Sequence, residues 1–463
     1  MLLTGSFRQM SAPLVMGLLA LVSSSAVAGP GDHIHVGDVV LTPSVEVGST
    51  FHSNIYLSDG SEGAPEIAAP AVQVQPRLKL SLPKKDFQLD WELGYHLKTF
   101  IDFKPNDPYN VSNLDRFNEV DSTLDIVALQ RSFLGFKLGD VFSITNYPAE
   151  LGTSQYSANV VVTSNDVRGG FVVRPGSALD VDLLGQLGID NYNIPGALQE
   201  DSTDFTFNNR ASFGPMLNAN WRFLPKTTLI SDNSVVWYKW QDNLIPAIGP
   251  EVEGAVYGNY IGKPDGLAWR SQWGVKGQFT QKISAQAELG FGQAYYDEAS
   301  VLDQSGSLSG NSAELDTSLQ GETFSRDLTS FGEGFLVNAQ LAYTPVRNHS
   351  VTLGYRKDFQ DAVFTNYVAY NYGFLRYNGL YGSKLGVSAE VGARVDGYHG
   401  EVHRNDLNMN AKAELAYKFT DFLNARLGGG WTQRSCADKG CEGVFYSTQY
   451  DDFFGEFGVT VSY

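Results

Sequence analysis

The chain has 463 residues, a formal net charge of −18 and 18% charged residues. This acidic balance argues against a nucleic-acid partner, because phosphate binding needs a basic surface. Aromatic residues make up 13% of the sequence, which argues against intrinsic disorder, since disordered chains lack the apolar side chains that offset ordering entropy. Two cysteines are too few for a disulfide framework or a cysteine-rich metal scaffold.

The first 28 residues have the pattern of a secretory signal peptide. Arg8 supplies a positive charge, residues 13–22 form an apolar core too short to span a bilayer, and residues 26–28 form an A-x-A cleavage site. We therefore expect export with cleavage after Ala28, the alternative being an uncleaved N-terminal anchor. Residues 29–39 are then expected to form a flexible periplasmic leader, and residues 40–463 an outer-membrane barrel.

The rest of the chain repeats segments of about ten residues in which apolar and polar side chains alternate, as in transmembrane β-strands. Residues 87–99, 385–396 and 407–419 give the clearest examples, whereas residues 224–240 alternate poorly. Eight short turns separate the segments, and longer polar segments lie between those turns. The turns lie near residues 83–85, 131–132, 175–177, 225–226, 281–282, 345–347, 382–383 and 420–421.

This alternation of short turns and long segments is typical of outer-membrane barrels. The sequence thus predicts an all-β fold, a transmembrane antiparallel up-and-down β-barrel of about 18 strands, with 16 as the alternative. Short turns are expected on the periplasmic side and long loops outside. Five tryptophans are candidates for the aromatic girdles of such a barrel. They are Trp91, Trp221, Trp269, Trp273 and Trp431.

The polar faces of the predicted strands carry nearly equal numbers of bases and acids. Acids concentrate around residues 90–125 and bases spread through residues 384–426, which predicts a transverse electric field across a hydrated channel. A filled lumen without a through-path remains the alternative. The predicted pore-lining residues are Arg77, Lys79, Asp90, Glu92, His96, Lys98, Asp121, Asp125, Arg168, Arg210, Arg222, Arg270, Lys276, Glu390, Arg394, Lys412, Glu414 and Arg426.

Few side chains suggest catalysis or metal binding. His96 lies on a clear strand, but no hydrolase motif accompanies it, so we expect neither an enzyme nor a cofactor. His33 and His35 could bind a transition metal, but a plain leader segment is the simpler interpretation. Cys436 and Cys441 lie five residues apart in an exported chain, which favours a small disulfide staple over redox or metal chemistry.

The last residues form an amphipathic strand that ends in an aromatic side chain. Phe457, Val459, Val461 and Tyr463 alternate with polar or small residues. This ending resembles the C-terminal signal by which the barrel assembly machinery recognises bacterial outer-membrane proteins. The expected partners therefore include that machinery, together with outer-membrane lipid and lipopolysaccharide.

The first predicted strand carries a family resemblance. Phe51, Asn54, Ile55 and Tyr56 follow a strand that contains a proline, and a second proline, Pro76, lies in the next strand. This pattern resembles the opening of the β-barrel porin 2 family, whose members are exopolysaccharide- and capsule-associated outer-membrane barrels. The resemblance implies passage of polysaccharide or polar solutes, and polysaccharide-export components as partners. It implies no catalytic or ligand residues.

Two other classes of function remain open at this point. A structural or surface-interaction barrel could keep a closed lumen and act through its acidic loops at residues 241–264 and 297–327. A lipid-modifying enzyme would need His96 in its catalytic site.

Overall fold

The computed structural model describes residues 33–55, 57, 60, 66–101, 117–145, 161–193, 209–240, 265–296, 334–361, 367–399, 404–436 and 449–463. These residues form nineteen β-strands. The strands are β1 (Ile34–Val36), β2 (Val39–His52), β3 (Ala69–Pro83), β4 (Phe87–Phe100), β5 (Phe117–Ala128), β6 (Leu134–Thr145), β7 (Val161–Val173), β8 (Leu179–Asn193), β9 (Arg210–Leu224), β10 (Thr227–Trp240), β11 (Gly266–Gln278), β12 (Ile283–Tyr296), β13 (Phe335–Tyr343), β14 (His349–Asp361), β15 (Tyr367–Tyr381), β16 (Leu385–His399), β17 (Arg404–Lys418), β18 (Leu423–Cys436) and β19 (Tyr450–Ser462).

Strands β2 to β19 form one closed antiparallel barrel. Each strand pairs with the next one along the chain, and β19 closes the barrel by pairing with β2, with Val459 opposite Val47. This topology confirms the predicted up-and-down barrel of 18 strands. Among the described residues, no helix is long and apolar enough to span a membrane.

The two ends of the barrel differ in how their strands are joined. At one end, here called the turn end, eight connections of two to five residues join the strands, all at the predicted places. The other end, here called the loop end, carries the remaining connections, most of whose residues lie outside the described ranges. The predicted loops at 241–264 and 297–327 also lie outside them.

Strand β1 corrects the prediction of a flexible leader at residues 29–39. Ile34 is buried and pairs with Leu41, so the segment forms a short hairpin with β2. Along the same edge of β2, pairing with β19 ends at Ser44, which lies opposite Ser462. Just beyond this pair, the Tyr463 amide donates to the Pro43 carbonyl (2.9 Å). Strand β1 therefore continues the edge that β19 leaves open at the turn end.

The alternation of side chains gives the barrel an apolar outer face. Large apolar side chains are exposed all round this face, among them Val47, Leu97, Leu187, Leu289, Leu353, Val391, Leu415, Leu427 and Phe457. The strand register places all five candidate girdle tryptophans on it. Exposed aromatic side chains also gather at the turn end, namely Trp221, Phe223, Phe279, Tyr343, Tyr381, Tyr417 and Phe419.

Strand β10 shows why residues 224–240 alternate poorly in the sequence. Ser231 and Asn233 lie on the outer face, where most strands carry apolar residues. Their polar groups are satisfied there, because Asn233 donates to Ser231 (2.8 Å) and accepts from Ser271 (2.6 Å), which in turn accepts from Trp273 (3.1 Å). A hydrogen-bonded patch thus replaces apolar side chains, and the expected period is lost.

Candidate functional site

The inner face of the barrel is the candidate site, since it gathers the charged residues. The register places every predicted pore-lining residue on this face. An ion pair between β9 and β14, which lie five strands apart, identifies this face as the one that surrounds the lumen. How tightly these charges pack differs between the loop end and the middle of the barrel.

Arg210 on β9 holds the first group of buried charges at the loop end. Its Nε lies 2.6 Å from an Asp190 oxygen on the neighbouring strand β8, and its Nη1 lies 2.8 Å from Asp361 Oδ2 at the end of β14. All three side chains are largely buried. The contact with Asp361 spans a chord of the barrel and therefore narrows the lumen at this end.

The end of β14 departs from strict alternation to make this chord. Asp358 and Phe359 are consecutive, yet both contact Arg270 on the inner face of β11: Asp358 Oδ1 lies 3.1 Å from Arg270 Nε, and the Phe359 ring centroid 4.1 Å from Arg270 Cζ. Phe359 also belongs to a buried cluster with Leu336 and Tyr367. The end of β14 thus leans into the lumen. We call Asp190, Arg210, Arg270, Asp358 and Asp361 the first loop-end cluster.

A second loop-end cluster joins β17, β18, β19 and β2. Arg434 Nη2 lies 2.6 Å from Asp406 Oδ2, and the Asp406 side chain is 0% exposed. Asp452 accepts from the Asn54 amide (3.0 Å) and lies 2.8 Å from His52 Nδ1. We define this cluster by Asp406, Arg434, Asp452, His52 and Asn54. Asp406, Arg434 and Asp452 are all buried, and each has a hydrogen-bond partner within the cluster.

In the middle of the barrel the charges are far more exposed. Arg77 on β3 lies between two carboxylates, with Nη1 2.9 Å from Glu92 Oε1 and 3.5 Å from Asp121 Oδ2. Gly94 makes the second contact possible, because a Cβ at this position would lie 2.4 Å from an Asp121 oxygen. The Glu92 and Asp121 side chains are 42% and 46% exposed, so this part of the wall presents negative charge to the lumen.

Arg426 on β18 also has an excess of carboxylate partners. It contacts Glu46 at 2.7 Å, Glu456 at 2.9 Å and Glu414 at 3.7 Å. Glu46 lies two strands away, and Gly458 on the intervening strand leaves the space, since a Cβ there would lie 2.7 Å from a Glu46 oxygen. Glycines on the inner face therefore let charges pair across a strand.

The opposite excess occurs on β15 to β17, where Glu390 is shared by two cations. Arg376 Nη2 lies 2.5 Å from Glu390 Oε2, and Lys412 Nζ lies 3.9 Å from Glu390 Oε1. The carboxylate is only 7% exposed, whereas the Lys412 side chain is 60% exposed. The negative charge is thus buried in the wall while the positive charges project into the lumen.

The same asymmetry recurs nearer the loop end. Asp358 is 9% exposed and is shared by Arg270 and Arg356, whose side chain is 54% exposed. Asp396 is also nearly buried and lies 2.5 Å from Arg394, which extends over the Tyr370 ring (Cζ to centroid 4.2 Å). We call the projecting cations the basic wall. They are Arg356, Arg376, Arg394 and Lys412.

The carboxylates on β4 and β5 form the acidic wall, which consists of Asp90, Glu92, Asp121 and Asp125. Strand order puts the acidic wall and the basic wall nearly opposite each other across the lumen. The structure thus contains the arrangement from which the sequence predicts a transverse field. The predicted balance concerned the total numbers of acidic and basic side chains in the lumen. The structure adds that the acidic wall and the basic wall differ locally in the sign of their charge.

The histidine and cysteine candidates have surroundings typical of residues with a structural role. The His96 ring lies 3.0 Å from a Glu119 carboxylate oxygen and 3.1 Å from the Gln73 side-chain oxygen, so it hydrogen-bonds to a carboxylate and to side-chain amides. Among the described residues, no group of three or more His, Cys, Asp or Glu side chains is arranged to hold a metal ion. Cys436 is disulfide-bonded, and Cys441, its predicted partner, lies outside the described residues.

The C-terminal strand lies in the barrel wall. Phe457, Val459 and Val461 alternate on the outer face of β19, and the Tyr463 amide bonds to β2. Recognition by the barrel assembly machinery stays a prediction.

Several important residues were not among the predicted pore-lining set. Alternation in the sequence places Arg356 on a polar strand face, and Arg376 could have been included on the same ground. Asp358 has the same parity as Arg356 and could also have been included. Asp361 could not, because it has the parity of the outer face and the strand leaves its regular period there. Arg434 and Asp406 sit beside predicted loops, where alternation is hardest to assign.

No family model matches the sequence, and no curated protein matches it. Among solved structures, the chain is similar to Pseudomonas aeruginosa OccK3 (OpdO) at 11% identity, covering 91% of this chain and 95% of that chain, with a TM-score of 0.42. It is also similar to Acinetobacter baumannii OccAB3 at 11% identity, covering 91% of this chain and 99% of that chain, with a TM-score of 0.42. The FrpB iron transporter from Neisseria meningitidis (F5-1 variant, apoprotein form) is similar at 8% identity. The match covers 91% of this chain and 81% of that chain, with a TM-score of 0.45. The fold assignment rests on the strand pairings.

Proposed function

We propose that the protein is a channel of the bacterial outer membrane that passes polar solutes. The exposed apolar belt and the aromatic side chains at its turn end support membrane residence, because lipid-facing strand positions require apolar side chains. The turn end would then face the periplasm and the loop end the exterior. Lipid and lipopolysaccharide would surround the barrel, and the assembly machinery would insert it.

One observation carries the proposal of a water-filled lumen. Charged side chains in the middle of the barrel, such as Asp121 and Lys412, project from the inner wall with about half of their surface exposed. Charged groups are too costly to leave in an apolar or empty interior without full pairing, so these positions call for water. A barrel of 18 strands is also wide enough to hold an aqueous channel.

The lumen wall also contains a polar recess in its turn-end half. A cavity of about 430 Å³ opens at the wall of β13 to β17, with Ser350, Asn378, Ser388 and Glu414 among its lining residues. Small polar residues of this kind suit hydroxylated solutes. Export of exopolysaccharide or capsule polymer is the specific role that the family resemblance implies, and it remains part of this proposal.

Single-channel recording of the full chain in planar lipid bilayers tests the proposal. We expect discrete, ohmic conductance steps in potassium chloride, and no steps from the same preparation after heat denaturation. A correctly folded barrel that never conducts would instead support the closed, surface-interaction barrel. Loss of surface polysaccharide when the chain is deleted from its bacterium would support the export role.

A further inference from the structure

We propose that the basic wall is a binding site for the oxyanion group of a solute in transit, a carboxylate, sulfate or phosphate. This inference rests on the proposed channel and names the class of solute that the channel would favour. The four cations lie on consecutive strands, β14 to β17, which places them along one continuous surface of the lumen.

Register brings the cations into two rows. Arg356 and Arg394 lie on either side of Tyr372 in one row, and both guanidinium groups approach the ring of Tyr370, with Cζ at 5.9 Å and 4.2 Å from its centroid. Both guanidinium groups thus lie within cation–π distance of one aromatic ring. Each donates to a neighbouring carboxylate, Asp358 or Asp396, and has further N–H groups that can bond an oxyanion.

The second row lies four residues nearer the turn end. There Arg376 and Lys412 lie on either side of Glu390, and Arg376 also stacks near Phe374, with Cζ 5.2 Å from its centroid. Tyr372 of the first row stacks on Phe374, which lies between the two rows, with ring centroids 5.4 Å apart. The site therefore alternates cations with aromatic rings along the direction of transit.

Charge sharing leaves this surface positive. Glu390 neutralises only part of the charge of Arg376 and Lys412, and Asp358 is likewise divided between Arg270 and Arg356. Because these carboxylates are nearly buried while Arg356, Arg376 and Lys412 are about half exposed, a solute meets these three cations first. An oxyanion can then supply the missing negative charge without displacing any existing ion pair.

The experiment measures block of potassium chloride current by small oxyanions in the reconstituted full chain. Glucuronate, sulfate and phosphate are added separately, and glucose at equal concentration serves as the uncharged comparison. We expect at least one oxyanion to reduce the current while glucose leaves it nearly unchanged. Whichever blocks at the lowest concentration identifies a sugar acid, a sulfate or a phosphate as the preferred source.

The decisive variant combines Arg356→Gln with Lys412→Gln. Folding should survive, because Asp358 keeps Arg270 and Glu390 keeps Arg376. Loss of each charge near the bound group should weaken block about threefold, hence about tenfold for the pair. The matched control, Lys85→Gln with Lys226→Gln, removes two exposed charges from turns and should leave the blocking concentration unchanged.

Equal block of the wild type, the double variant and the control would overturn the inference, as would a conducting channel that no oxyanion blocks. Both results would leave the proposed channel intact. Absence of any conductance would instead contradict the proposed function itself. The two failures are therefore distinguishable.

Discussion

The loop end and the middle of the barrel use the same residue types for different purposes. At the loop end, Asp406 and Arg434 form an ion pair that is shielded from water. In the middle, Arg77 faces two carboxylates, and Glu390 faces two cations, with much of the cation surface exposed. Paired and buried charges fix a shape, whereas unequally shared and hydrated charges create a field that a solute can sense.

The largest expected effect comes from breaking a buried pair at the loop end. Asp406→Asn would leave the guanidinium of Arg434 buried without its counter-charge, which typically costs about 3–5 kcal/mol. The matched variant Glu92→Gln removes a carboxylate from a half-exposed pair and should cost less than about 1 kcal/mol. Thermal unfolding in detergent, followed by gel mobility, compares the two. Similar losses of stability in both variants would erase the distinction between the two regions.

A smaller effect on stability, but a clear effect on conductance, is expected from Asp361→Asn. Arg210 would keep Asp190, so losing the charged bond should cost only about 1–3 kcal/mol. The end of β14 would lose its tie to β9, although Asp358 and Phe359 would still contact Arg270, and single-channel conductance should rise. Asp166→Asn is the matched control, since Asp166 pairs with Arg168 on its own strand. An unchanged conductance in Asp361→Asn would show that this chord does not limit flow.

The smallest effect on stability is expected at the acidic wall. Glu92→Gln combined with Asp121→Asn should raise the chloride-to-potassium permeability ratio, by about threefold for each charge removed. Reversal potentials under a salt gradient measure the ratio. A ratio that stays constant would mean that the exposed carboxylates do not act on passing ions. High salt should diminish the difference, because exposed charges are screened.

Local pattern was enough to predict the barrel and the strand face of the predicted pore-lining side chains. Alternation within strands such as β4 and β16 depends only on neighbouring residues, and lipid on one side enforces it. The pattern failed at Ser231 and Asn233, where a hydrogen-bonded patch replaces apolar side chains on the outer face. Residues 34–36 were also misjudged, because a three-residue strand has too few positions to show a period.

Pairing between side chains on non-adjacent strands could not be predicted from the sequence. Arg210 and Asp361 are 151 residues apart, and Arg426 and Glu46 are 380 apart. No local spacing encodes such contacts, which depend on closure of the barrel and on where β14 leaves its regular period. Gly458 gives a partial signal, since a glycine on a polar strand face marks space that another side chain can enter.

We propose that the lumen is narrower at the loop end, where Arg210 reaches Asp361, than in the rest of the barrel. Polymer exclusion measures this directly: polyethylene glycols of graded size are added to one side of oriented single channels, and the largest polymer that lowers conductance is recorded. Larger polymers should enter from the turn end than from the loop end. Equal size limits from both sides would contradict the claim.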